Sequence, residues 1–326
     1  MNTNNMFELA LDAITKPLQK PTRDGFGTGL IEAAQHNKNI VGLCADLLES
    51  TRMLEFQKQF PDRYIEMGVQ EQNMAGVAAG LAQEGLIPFI TSYATFSPGR
   101  NWDQVRVSIC YNKANVKIIG AHAGISVGPD GATHQALEDI AITRVLPNLT
   151  VIAPCDTLET HRATIAAANM EGPVYIRFTR EASPIVTTPQ TAFEIGKAYV
   201  VKEGKDVAII STGPQLYDAL LASEMLSHEN ITCTVIHCPT IKPLDSQTIL
   251  EATKDVRGII TIEEHQIAGG FGSAICELMS EKNPKKVIRI GMKDSFGESG
   301  KPKELLIKYG ITIKELLDAA HSLTSH

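Results

Sequence analysis

The segment GVQEQNM, residues 68–74, puts Glu71 where a polar stretch meets a run of small residues at helical spacing. A carboxylate in a helix's first turn is favoured by the helix dipole, which suits a hydrogen-bonding anion and equally a capping or solvated glutamate. The segment AHAGISVGPDGATHQALED, residues 121–139, carries His122, Asp130 and His134 around Gly124, Gly128, Pro129 and Gly131. That glycine and proline content dictates a tight irregular loop, and loops at the carboxyl ends of parallel strands are where open α/β sheets bind ligands. Imidazoles there can donate to oxygens or move protons near neutral pH; equally, one could cap the next helix while the other packs on the surface. No third ligand sits at zinc spacing. YATFSPGRNW, residues 93–102, gathers Tyr93, Phe96 and Trp102 with Arg100. Its rings could stack on a flat ligand or serve a core or an interface, and Arg100 is either an extra substrate contact or a surface charge. In IRFTR, Arg177 and Arg180 lie three apart, so one of them can face a cleft and bind an anion while both remain candidates for plain surface charge. The glycines of TIEEHQIAGGFG, residues 261–272, match neither a dinucleotide fingerprint nor a P-loop, so a backbone-packing role is preferred over phosphate binding.

These residues need elements to position them. Apolar runs at 39–45, 87–91, 116–121, 150–153 and 173–178 read as buried strands. Between them, 72–84, 103–111, 134–144 and 158–168 carry helical spacing. Strands separated by helices indicate a mainly parallel sheet with helices on both faces. Pro184, Pro189 and the run TTPQT mark a connector over 179–192. The alternation then restarts, with strands at 206–211, 231–237, 258–262 and 286–290 and helices at 215–227, 272–280, 302–309 and 313–320. The expected architecture is α/β in two domains, 1–180 and 195–326, joined by a linker at 181–194.

The chain has 326 residues, enough for two domains that bury about three quarters of their unfolded surface. Lys plus Arg is 30 against 37 Asp plus Glu, a formal charge of −7. That balance argues against a general nucleic-acid or anionic-membrane binder, while leaving room for a local phosphate pocket. No apolar run approaches the roughly 20 residues of a membrane span, and residues 1–20 lack the apolar core of a leader, so a cytoplasmic protein is expected. The six cysteines are scattered, mostly in apolar runs, with no CxxC pair, and read as reduced core residues without a disulfide or metal role.

Taken in order, these segments resemble the C-terminal half of transketolase, over about residues 20–320. GVQEQNMAGVAAGLA is similar to the family's cofactor-activating glutamate motif, and GISVGPDGATHQALEDIA to its THQ loop. FTRE is similar to its phosphate-binding arginine segment, and EEHQIAGGFG and DSFGESG to its last domain. The resemblance implies a pyrimidine-binding domain followed by the transketolase C-terminal domain. It implies that Glu71 hydrogen-bonds the aminopyrimidine ring of thiamine diphosphate and favours the tautomer that deprotonates the thiazolium carbon. Phe96 would stack on that ring, with Tyr93 nearby and Asp46 of CADL beside the cofactor. His122, Asp130 and His134 would line the sugar substrate, and His134 would act near the reacting carbon. Arg180, with Arg23 and Ser50, would take the substrate's phosphate end. Two departures are visible: Gln72 follows Glu71 where the family usually has His, and Pro129 stands where an acidic residue is common.

The sequence shows no GDG followed by paired asparagines, the family's magnesium–diphosphate signature. The resemblance therefore implies one subunit of a split transketolase, whose N-terminal partner subunit holds the diphosphate and magnesium in an α2β2 heterotetramer. Such an enzyme moves a two-carbon ketol unit from a ketose phosphate to an aldose. The β subunit of a 2-oxo-acid dehydrogenase has similar length, but the THQ loop and the EEH and DSFGESG segments argue for transketolase. A deoxyxylulose-phosphate-synthase-like enzyme shares the THQ loop but is normally one chain. Retention of Glu71, Asp130, His134 and Arg180 together argues against a scaffolding homologue that has lost its chemistry.

Overall fold

The apolar runs of the first half become neighbouring strands because each is buried on both faces. In the computed structural model, which describes residues 7–325, Ile40–Cys44 and Lys117–Ala121 are buried at every position. The first six residues, part of the segment read for a leader, and His326 lie outside the described residues. Ile40–Cys44, Ile87–Tyr93, Lys117–Ala121, Val174–Arg177 and Thr150–Ile152 run parallel in one seven-stranded sheet, with Tyr64–Glu66 at one edge. Their register pairs Cys44 with Thr91, Tyr93 with Ala121 and Gly120 with Arg177, so the carboxyl ends of four adjacent strands lie along one sheet edge. The other edge strand, Thr240–Lys242, comes from the second half of the chain and pairs antiparallel with Thr150–Ile152. The second half forms a five-stranded sheet in which Val207–Ser211, Cys233–His237, Gly258–Gln266 and Val287–Met292 are parallel and Tyr199–Lys202 pairs antiparallel.

Several elements depart from their expected form, each for a physical reason. The helix Thr22–His36 is not evident from the sequence because Gly25, Gly27 and Gly29 weaken its pattern. Its glycines serve close packing on the helix Thr157–Asn169. A Cβ on Gly25 would stand 2.0 Å from the Thr157 carbonyl oxygen, and one on Gly29 would stand 2.7 Å from that of His161. The expected helix at 134–144 begins only at Asp139. Before it, the Gln135 side chain donates to the carbonyls of Ile125, Gly128 and Glu298, which holds the THQ segment as a loop. The strand expected at 258–262 runs on to Gln266, so the EEHQ residues are strand and not turn. The connector contains a short strand, Ala182–Pro184, paired with Gln19–Pro21.

Glu159 and His237, both fully buried, meet at 2.8 Å and tie the Thr157–Asn169 helix to the second sheet. Burial alone would raise the Glu159 carboxyl, but the facing His237 together with hydrogen bonds from Cys155 holds the group below the usual range. Cys155 lies beside them, with ligand-type atoms of the three residues within 4.8 Å of one another. All six cysteines are free thiols, five buried and Cys276 half-buried. Among the described residues, no helix is long and apolar enough to cross a membrane.

Candidate functional site

The shared strand edge gathers most of the candidate residues. Glu71 opens the helix Glu71–Gln83, and its side chain is 1% exposed. Its carboxylate accepts from the Ser92 hydroxyl at 3.3 Å and from Arg100 Nη1 at 2.7 Å. Asn101 Nδ2 donates to the Glu71 backbone carbonyl at 3.1 Å, which fixes the helix start against the 93–102 loop. A buried carboxylate without donors would be costly, and Ser92 and Arg100 supply them here.

The rings form a cluster around the strand ends. Tyr93 lies nearly parallel to Phe96 at 6.3 Å between centroids, and Phe96 meets the His134 ring edge-on at 5.3 Å. His122, in a left-handed backbone conformation just after Lys117–Ala121, lies 4.1 Å from the Tyr93 ring. Its Nε2 is 3.4 Å from Arg23 Nη1, and its buried Nδ1 has no partner. Burial first, and then the charges of Arg23, Arg180, Arg52 and His134, push the His122 imidazole down to about 3. A neutral imidazole there, with its Nδ1 unpartnered, offers a hydrogen-bonding group. His134 Nδ1 is 2.8 Å from the Thr133 hydroxyl.

A basic group borders these rings. Arg23 Nη1 donates to the backbone carbonyl of Ser50, so that residue contributes its carbonyl here. Burial lowers the Arg23 guanidinium, and the nearby Arg52 and Arg180 lower it further, while Asp24 opposes them. Arg180 pairs with Asp130 at 3.1 Å, which brings the proposed phosphate ligand and the proposed sugar ligand into contact. Arg177, by contrast, is fully buried and donates to Asp139 at 2.8 Å, so Arg180 is the arginine of that segment near the site. Asp46 is exposed in a left-handed conformation at the end of Ile40–Cys44, and its backbone N–H donates to Glu66. Its link is thus to Glu66, which also accepts from the Gly68 N–H just before the Glu71 helix.

The second half supports the site from behind. Glu264 accepts from the Ser126 N–H at 3.0 Å and from Gln215 at 2.8 Å, and so anchors the start of the THQ loop. A Cβ on Gly131 would stand 2.6 Å from the Ser299 hydroxyl, so the ESG turn presses on the loop's far end. The GGFG turn is filled by the chain itself: Glu263 accepts from the N–H groups of Phe271 at 2.6 Å and Gly272 at 2.8 Å. Burial pushes the Glu263 carboxyl up to about 7 against those donors, and the backbone-packing reading of these glycines accounts for the turn. Two features escaped sequence reasoning. Neither the Glu71–Arg100 pair, whose members are 29 positions apart, nor the buried anchoring role of Glu264 has a local signal in the sequence.

Comparison with known proteins gives two family matches. Residues 19–185 match the transketolase pyrimidine-binding domain, and residues 196–316 match the transketolase C-terminal domain. A protein of Methanocaldococcus jannaschii, provisionally named a transketolase C-terminal section, is 44% identical over 90% of this chain and 92% of its own. The 6-deoxy-6-sulfo-D-fructose transketolase subunit SqwH of a Clostridium species is 39% identical over 93% of this chain and 94% of its own. A solved structure described as a split gene transketolase, inactive β4 tetramer, superposes with a TM-score of 0.88 at 44% identity, covering 94% of this chain and 98% of that one.

Proposed function

Because this chain belongs to the transketolase family, we propose that it is one subunit of a two-chain transketolase that transfers a two-carbon ketol unit from a ketose phosphate to an aldose. The observation that carries the reading is the joint placement of a buried carboxylate, a half-buried aromatic ring and a group of arginines at one strand edge. The residues fit thiamine diphosphate: Glu71 offers a fixed carboxylate to the aminopyrimidine, and the half-buried Phe96 offers a ring to stack on, with Tyr93 behind it. Asp46, whose backbone N–H donates to Glu66, is assigned beside the cofactor from the family resemblance. Bound cofactor would supply the nucleophilic carbon that takes up the ketol unit; its diphosphate and magnesium would belong to an N-terminal partner subunit. Coverage of 98% of a split transketolase chain supports that division. An α2β2 assembly in the cytoplasm is our reading of the whole.

Within this chain, Arg180, Arg23 and the Ser50 carbonyl border the phosphate end. Asp130 is placed to accept from a sugar hydroxyl, and His122 to donate or accept as a neutral imidazole. His134, edge-on to Phe96, is the imidazole nearest the proposed ring seat and the candidate for proton movement near the reacting carbon. The test is co-expression with a neighbouring-frame protein that carries GDG and paired asparagines, followed by assay over a panel of ketose phosphates. Ketol transfer to an aldose is the expected result. Decarboxylation of a 2-oxo acid without ketol transfer would favour the dehydrogenase alternative and overturn the reading.

A further inference from the structure

Glu71 and Phe96 already share a partner. The Arg100 guanidinium carbon stands 4.5 Å from the centroid of the Phe96 ring, while Nη1 donates to Glu71 Oε2 at 2.7 Å. A planar, delocalised group thus lies against the aromatic face and bonds the carboxylate at once. An aminopyrimidine that stacks on Phe96 and bonds Glu71 makes the same two contacts. Both groups cannot hold them together: the other Glu71 oxygen is engaged by Ser92, and Phe96 also borders Tyr93 and His134.

The two members of the ion pair differ in their surroundings. The Glu71 side chain is 1% exposed and Arg100 is 45% exposed. Glu71 is fixed by the helix it opens and by the Ser92 hydroxyl, whereas Arg100 reaches in from the solvent side on a long flexible stem. The carboxylate cannot be left bare without a large desolvation penalty, but the guanidinium can return to water at little cost.

From this geometry we propose that Arg100 is a placeholder for the cofactor's aminopyrimidine: it holds the seat and swings toward solvent when the ring enters. The inference rests on the assignment of Glu71 and Phe96 as that seat. Its consequence is a conformational toll, since apparent affinity falls by the fraction of chains in which the seat is open. Arg100 is thereby a gating residue for the cofactor and not a substrate contact.

The experiment uses the full chain without any partner and the free aminopyrimidine alcohol, 4-amino-5-hydroxymethyl-2-methylpyrimidine, as probe. That probe lacks the diphosphate, so binding reports this chain's own seat. Trp102 is the only tryptophan in the sequence and lies two residues from Arg100, so its fluorescence reports occupancy, with ligand-observed NMR as a second readout. Arg100→Ala is expected to bind the probe roughly ten- to a hundredfold more tightly than the wild type, the worth of one charge-assisted hydrogen bond. Arg100→Gln, which keeps most of the bulk without the charge, is expected to fall between them. Equal or weaker binding by Arg100→Ala, including no binding by any variant, overturns the placeholder. If Glu71→Ala still weakens wild-type binding in that case, the seat stands and only the placeholder falls. A gain in Arg100→Ala that survives in the Arg100→Ala/Glu71→Ala double variant overturns the seat itself.

Discussion

Glu71→Ala in the proposed two-chain enzyme is expected to lower kcat on the order of a hundredfold or more, with the fold retained. The size follows from the role proposed for the carboxylate, which would hold the cofactor's ring in its reactive form and so act in every turnover. Retention of the fold follows from the surroundings. Glu71 makes its side-chain bonds to the Ser92 hydroxyl and to Arg100, and Arg100 is already 45% exposed, so its charge returns to water when the carboxylate is removed. The helix start remains held because Asn101 bonds the Glu71 backbone carbonyl, which the substitution leaves in place. Turnover should be compared with thermal unfolding of the same preparation. Near-wild-type turnover with unchanged melting would refute the role; a melting temperature far below wild type would show that Glu71 serves packing instead.

Arg180→Ala and His134→Ala are expected to fail in different kinetic constants. Arg180 borders the proposed phosphate end together with Arg23, and its present partner Asp130 lies at 3.1 Å. A guanidinium suits bidentate phosphate binding, and a charge-assisted bond contributes roughly 1.5–3 kcal/mol. Its loss should raise KM about ten- to a hundredfold for a phosphorylated donor, with kcat nearly unchanged, because that contact is the same in ground and transition states. The unphosphorylated analogue should barely respond. His134 contacts the Phe96 and Tyr93 rings edge-on, close to the proposed ring seat. Its loss should lower kcat on the order of a hundredfold, the usual worth of acid–base or electrostatic contact near reacting atoms. Steady-state kinetics with both donors separates the cases. If Arg180→Ala weakens both donors equally, Arg180 is not the phosphate ligand, and if His134→Ala changes KM alone, His134 only binds.

The parallel strands were legible because burial on both faces leaves an unbroken apolar run, as at Ile40–Cys44 and Lys117–Ala121. Their connecting loops then placed Glu71, Tyr93, Phe96, His122 and Arg180 at one edge as a consequence of topology. What stayed hidden depends on contacts far apart in sequence. Thr22–His36 is helical despite three glycines because Gly25 and Gly29 let another helix's backbone approach. His134–Glu138 carries helical spacing yet stays a loop because Gln135 bonds three carbonyls, one of them Glu298 from the second half of the chain. Glu263, Glu264 and His265 fall outside the strand expected at 258–262 because they are polar, yet they are buried strand residues, and the two glutamates are satisfied by a helix N-terminus and by the THQ loop. No local pattern announces a partner that distant. The Glu71–Arg100 pair was hidden for a different reason: 29 residues separate them, and each has an ordinary role on its own.

The division of the cofactor between two chains is tested most directly by calorimetric titration of thiamine diphosphate with magnesium, first into this chain alone and then into the chain assembled with its proposed partner. On the proposed reading this chain would contribute the ring seat at Glu71 and Phe96, while the diphosphate carries most of the cofactor's charge and is assigned to the partner. The account predicts weak binding to the chain alone that magnesium does not strengthen, and tight magnesium-dependent binding to the assembly. Tight magnesium-dependent binding to the chain without any partner would contradict it.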